Sequence, residues 1–243
     1  MLYFYGDFFS FINMNRIFKN FIRIINKLII GFVLLSIILI FAMRWVDPFG
    51  SMLMLQRKIS HWNMPQQRIW KDWNEISDNI KIAVIAAEDQ NFANHWGFDF
   101  KAINRALKHN KNNKKIHGAS TITQQVAKNI FLWSSRNWIR KGLESWFTVW
   151  IELIWSKQRT LEIYLNSVEW GEGIFGIEAA SRHYFNVSAD QLTPHQASLL
   201  AATLPNPRKW SPINPSDNLQ KKSEWIRTQM NNLGGRNYLK KLK

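Results

Sequence analysis

The chain contains no cysteine. Disulfides and cysteine-ligated metals are therefore excluded, while the compartment stays open. Its six histidines are scattered and form no His-Glu-x-x-His pattern, which argues against a histidine-based zinc site. Acidic residues are scarce: 17 Asp and Glu stand against 32 Lys and Arg, a net charge of +15. Such an excess implies an anionic partner, whether nucleic acid, an acidic membrane surface or a phosphorylated substrate. Zinc-finger spacing, an RNP-like aromatic motif and a basic region with heptads are all missing, so nucleic acid is disfavoured. No run alternates convincingly enough to be a strand, and there are no internal repeats.

Apolar residues are plentiful at 46%, and 13 tryptophans are a heavy load for 243 residues. Tryptophan suits places where one edge is apolar and the other wet, membrane interfaces included. The length allows one sizeable domain plus an anchor. Leu28 to Met43 carries no charge and predicts a transmembrane helix about 24 Å long, flanked by Arg23 and Lys27, which can snorkel. Arg16, Lys19, Arg23 and Lys27 all precede the apolar run. The positive-inside rule then places the N-terminus in the cytoplasm and everything after Trp45 outside. No small-x-small cleavage site follows, so the segment reads as an uncleaved anchor. Met14, where the charged flank begins, is an alternative start. The expected organisation is a cytoplasmic segment (1–27), an anchor (28–46), a linker (47–67) and one main domain outside the membrane (68–243). Met52 to Leu55 form an apolar patch within the linker.

Beyond Trp70 the pattern is helical. Ser77 or Asp78 can cap a helix with an Ile80, Val84, Ala87 stripe, and Asp99 one bearing Phe100, Ile103 and Leu107. Lys108 to Lys115 reads as a basic loop. Thr160 can cap the helix leading to Tyr164, and Thr193 one starting at Pro194. The most informative segment is Gly118 to Asn129, dense in small hydroxyl and amide side chains. With Ser120 as N-cap, Ile122, Val126 and Ile130 face a core, and Thr121, Gln124, Gln125 and Lys128 gather on another face. That face suits a substrate with many hydroxyls and a phosphate; a solvated polar face fits the same pattern.

Five ordered blocks carry a resemblance. They are Ala83 to Asp99 (with Glu88, Asp89, Phe92, His95 and Gly97), Gly118 to Asn129, Arg140 to Glu144, Glu162 to Asn166, and Gly171 to Ala180. Together they resemble the family 51 peptidoglycan glycosyltransferases, most closely the monofunctional, membrane-anchored members of Gram-negative bacteria. The likeness covers roughly Trp70 to Pro212. It implies a mainly α, lysozyme-like catalytic domain with a smaller membrane-contacting lobe. It implies polymerisation of lipid II onto a lipid-linked glycan chain, with Glu88 as general base and Glu144 as the second glutamate, positioning cations or a divalent metal (Mg or Mn).

Ser120, Thr121, Gln124, Gln125, Lys128, Asn129, Arg136, Arg140, Lys141 and Asn166, with Asp89, Phe92, His95 and Gly97, are the implied substrate-binding set. Arg136, Arg140 and Glu144 are spaced to share one helix face. Two positions depart from many relatives: Gln196 replaces a Glu, and Leu143 precedes Glu144 where some carry Lys. No Ser-x-x-Lys or Lys-Thr-Gly occurs, so cross-linking activity is not expected. Cell-wall synthesis or division proteins are the expected partner class, and no organic cofactor is expected. Two other classes stay open. A lysozyme-like hydrolase would need one carboxyl as proton donor but no cationic cluster. A membrane scaffold would have no use for Glu88.

Overall fold

The computed structural model describes residues 3–112, 118–135 and 137–242. The chain divides into two units, 1–43 and 44–243. The first is helix α1 (Tyr3–Ala42). Its Phe18–Ala42 stretch is long and apolar enough to cross a membrane by length and composition. The helix runs through the expected boundary at residue 28, because Arg23 and Lys27 are good helix formers and neither proline nor glycine lies between Asp7 and Ile30.

The second unit is mostly helical. The expected linker is corrected here: it contains α2 (Met52–Ser60), capped by Ser51, whose hydroxyl accepts from the Met54 amide at 3.1 Å. A short strand, β1 (Gln67–Arg68), follows. Then come α3 (Asp78–Glu88), α4 (Phe100–Asn112), α5 (Ile122–Phe131), α6 (Trp138–Ile154) and α7 (Lys157–Ser167). Strands β2 (Glu169–Gly171) and β3 (Ile174–Phe175) lead to α8 (Ile177–Phe185), α9 (Pro194–Thr203), α10 (Asp217–Asn232) and α11 (Arg236–Leu239). The strands form a sheet in the order β1-β3-β2, with β1 parallel and β2 antiparallel to β3. They are two or three residues long, too short for any alternation to show in the sequence. At the β2–β3 turn Gly173 has φ +73, and a Cβ there would lie 2.6 Å from the Pro65 carbonyl oxygen.

Two helical clusters follow from the apolar spacing. α3 packs on α9, α10 and α11. Ile80, Val84, Leu200 and Ile226 are fully buried there. Small residues on α9, Ala197, Ser198, Ala201 and Ala202, let the backbones approach, and Ser198 and Ser223 share a 2.7 Å hydrogen bond between α9 and α10. α5 packs on α6 and α7. Ile122 and Val126 face that core as their spacing predicts, and Phe131 stacks on Phe147 at 4.4 Å.

Three caps fall as expected and two do not. Ser77 caps α3, and Thr193 caps α9 in a capping box with Gln196, which does there what a Glu would do. Asp99 accepts from the Ala102 amide at 2.8 Å at the start of α4. Thr121, not Ser120, caps α5, because Gln124 three residues on completes its capping box. Ser156, not Thr160, caps α7; Thr160 lies a turn inside and donates to the Ser156 carbonyl. Of the expected basic loop, Lys108 to Asn112 continue α4 and the rest lies outside the described residues. Phe100 and Leu107 on α4 are 71% and 56% exposed.

Candidate active site

The end of α3 meets the side of α5 at Glu88. Gln125 Nε2 donates to Glu88 Oε2 at 2.8 Å, joining the two helical clusters. Glu88 Oε1 accepts no hydrogen bond from a described residue, and Glu88 lines an open groove of about 1190 Å³. Burial pushes the Glu88 carboxyl above the usual range, opposed by the Gln125 hydrogen bond and by the charges of Lys222 and Lys128. Its place at the C-terminal end of a helix also disfavours the anion. The result is a carboxylate with more appetite for a proton than a surface glutamate has.

Two further carboxylates line the groove, and both are occupied. Asp89 accepts from His95 Nε2 at 2.9 Å and from the Ile122 amide at 3.1 Å. It therefore ties the end of α3, the loop after it and the start of α5 together. Asp99 caps α4. Of these three, Glu88 alone is spent on neither a helix cap nor the junction of α3 with the start of α5.

The cations converge from α5 and α6. Lys128 lies in the field of both Glu88 and Glu144, and of Arg140 and Lys141, while burial lowers its pKa. Arg140 Nη1 donates to Glu144 Oε2 at 2.5 Å, and Lys141 Nζ pairs with the other oxygen. The Arg140 Nε donor is buried with no partner among the described residues, an orphaned N–H that suits an anion. Arg136 lies outside the described residues. Among the described residues, α6 starts after its N-cap Asn137, and the cations paired with Glu144 are Arg140 and Lys141.

Both oxygens of Glu144 are taken by cations. Among the described residues no group of three acidic or histidine side chains could hold a metal. With both oxygens ion-paired, Glu144 offers no free ligand oxygen to a divalent cation in this arrangement.

Ser120, Thr121, Gln125 and Lys128 line the groove with Glu88 and Asp89. The other implied residues support it from behind. Phe92 is fully buried, and His95 is buried against Asp89. Gly97 adopts φ +75, where a Cβ would meet Thr148 Cγ2 at 2.6 Å, and its carbonyl accepts from the Thr121 hydroxyl at 2.6 Å. Gln124 is spent on the cap of α5, and Asn129 is buried. Asn166 is buried too, accepting from the Lys71 amide at 2.9 Å and donating to the Lys71 carbonyl at 2.9 Å. With Glu162, which accepts from the Trp73 amide at 2.6 Å, it pins the segment entering α3. These positions set the backbone that aims Glu88; they do not face the groove.

Sequence reading missed three groove features. Lys101, Arg105 and His109 line one wall from α4 at i, i+4, i+8, a basic stripe legible from spacing once the helix is known. Trp225 and Leu233 line the groove from α10 and the turn after it. Lys222 on α10 donates to the Ala202 carbonyl at 3.2 Å and acts on Glu88 through its charge. In the sequence it is one lysine among many.

A free carboxylate facing a cationic groove is what enzymatic transfer of a glycosyl group from a phosphate requires. The chain belongs to the transglycosylase family, which matches residues 56–231 and accounts for the lysozyme-like helical domain. Its relatives include the biosynthetic peptidoglycan transglycosylase of Stutzerimonas stutzeri, 53% identical over 229 residues, covering 93% of this chain and 95% of that protein. The protein of the same name from Pseudomonas fluorescens is 56% identical, covering 90% and 93%. Another from Pseudomonas putida is 54% identical, covering 91% and 95%.

Proposed function

We propose that this protein polymerises lipid II into β-1,4-linked peptidoglycan strands, without cross-linking them. The observation that carries the reading is Glu88, which lines the groove with one oxygen tethered by Gln125 and the other unbonded among the described residues. The acceptor is the GlcNAc 4-hydroxyl of the incoming lipid II. Its proton passes to Glu88 Oε1 as its oxygen bonds to the anomeric carbon of the growing chain's terminal MurNAc. The bond from that carbon to the pyrophosphate oxygen breaks, and undecaprenyl pyrophosphate leaves with the electron pair. Lys128, Arg140 and Lys141 meet the charge developing on it. The anomeric centre inverts in one displacement, and Glu88 then returns its proton to water. A hydrolase would need a second carboxyl as proton donor, whereas Asp89, Asp99 and Glu144 are all engaged. Incubation with labelled lipid II tests the reading: polymer is expected, and hydrolysis of finished glycan in its place would overturn it.

The polyprenyl tail resists leaving the bilayer at about 0.8 kcal/mol per CH₂, so the groove must work at a membrane surface. Exposed apolar side chains supply one face: Trp138 (91%) and Ile139 (74%) open α6, and Leu55, Ile59 and Trp62 lie on or after α2. Gln56 joins the two places, donating to the Leu132 carbonyl at 3.2 Å and accepting from the Ser134 amide at 2.8 Å. Trp138→Glu with Ile139→Glu is expected to weaken binding of the domain to anionic vesicles by about tenfold or more, since each side chain contributes roughly 1.5–3 kcal/mol when buried; vesicle co-sedimentation measures it. Orientation follows from the basic N-terminal flank: N-terminus in the cytoplasm, catalytic domain in the periplasm. A periplasm-dependent reporter fused after Lys243 is expected to be active, and a cytoplasm-dependent one silent.

A further inference from the structure

Behind Glu88 a hydrogen-bonded relay crosses three helices. Tyr164 on α7 is 1% exposed. Its hydroxyl donates to Gln125 Oε1 at 3.2 Å, and Gln125 Nε2 on α5 donates to Glu88 Oε2 on α3 at 2.8 Å. An amide can face a carboxylate in two ways. With the NH₂ inward it donates to the anion; with the carbonyl inward it repels the anion and accepts from the protonated acid. We propose that Tyr164 is a positioning residue for the general base, its hydroxyl holding the Gln125 carbonyl so that the NH₂ meets Glu88. The proposal rests on the reading of Glu88 as that base.

The chemistry of the relay is one-directional. Burial and the nearby Glu88 charge keep the phenol protonated well above its ordinary range, so it remains a donor at every working pH. A donor at one end of Gln125 selects its oxygen there and leaves the NH₂ for the other end. The ionised carboxylate needs this help, because burial and the helix C-terminus both disfavour it. The other charges facing Glu88 are Lys128 from α5, Lys222 from α10, and neighbouring Asp89, which acts against ionisation. All three are untouched when Tyr164 is changed, so the relay can be tested alone.

Tyr164→Phe removes one oxygen and leaves the ring packing. Gln125 then loses the donor that orients it and can present its carbonyl to protonated Glu88. The acid limb of kcat/KM for lipid II polymerisation is expected to move to higher pH. The loss should be about three- to tenfold on the acidic side, in keeping with one net hydrogen bond, and smaller on the plateau. In a Gln125→Leu background, which shifts the limb the same way, adding Tyr164→Phe should shift it no further. A purely structural tyrosine would lower thermal stability and leave the midpoint unmoved. Should Tyr164→Phe fail to fold, Tyr164→Leu, which also removes the hydroxyl donor, is read in its place. A wild-type midpoint in either foldable single variant, or a further shift in the double variant, overturns the relay. Loss of the base reading itself has a different signature: a Glu88→Gln enzyme that still polymerises.

Discussion

Glu88→Gln is expected to lower polymerisation by about 10²-fold or more, and to raise thermal stability at neutral pH. The first effect follows from deleting the proton acceptor that faces the groove. The second follows from linkage. The folded-state pKa of Glu88 lies above its ordinary value because burial opposes its charge. The folded protein therefore holds this proton more tightly than the unfolded chain does, and stability falls as pH rises through the interval between the two pKa values. Above that interval the buried charge is a standing cost. A neutral, nearly isosteric glutamine removes the cost and can still accept from Gln125. The stability gain should vanish below the ordinary glutamate range, where both side chains are neutral. Activity loss with a gain in melting temperature at pH 7 and none at pH 4 would separate a tuned catalytic acid–base group from a salt-bridged structural one, whose removal destabilises.

Lys128→Ala is expected to cost about 2–4 kcal/mol of transition-state stabilisation, roughly 30- to 1,000-fold in kcat/KM. Lys128 stands in the fields of Glu88 and Glu144 together, so its removal acts twice. It withdraws a cation from the departing pyrophosphate, and it withdraws a charge that holds Glu88 ionised. The acid limb should accordingly move up in the variant. The basic limb of the wild-type profile should fall at lower pH than for an ordinary lysine, because burial depresses the Lys128 ammonium. Lys128→Arg keeps the charge and should recover part of the loss. Arg140→Ala should follow Lys128→Ala in direction, and it also frees one oxygen of Glu144. Steady-state kinetics across pH measures all of these. Unchanged kinetics in both alanine variants would make the cluster structural and restore the hydrolase reading.

The fold class was legible because helix signals are local. The Thr193 to Gln196 capping box and the Ile122, Val126 stripe read directly off the chain. Ser120 and Thr160 were wrong caps for the same kind of reason. Hydroxyl residues were plentiful near both starts, and the deciding partner was Gln124 in one case and the earlier Ser156 in the other. The site divided along a different line. Glu88, Gln125 and Lys128 carry their chemistry in blocks that the family resemblance picks out, and all three line the groove. The resemblance could not separate residues that face the groove from those that hold it. Phe92, His95, Gly97 and Asn166 stand in the same blocks and prove to be the backing. Lys222 and the α4 stripe escape for the converse reason: they come from ordinary basic helices, and tertiary packing brings the one into the field of Glu88 and the other to the groove wall.

The central claim is that Glu88 takes the acceptor proton in a synthetic reaction. Purified wild type and Glu88→Gln, both incubated with labelled lipid II in the same vesicles, test it most directly. The account predicts polymer with released undecaprenyl pyrophosphate from the wild type, and bound but unpolymerised lipid II from the variant. Near-normal polymer from Glu88→Gln would contradict it.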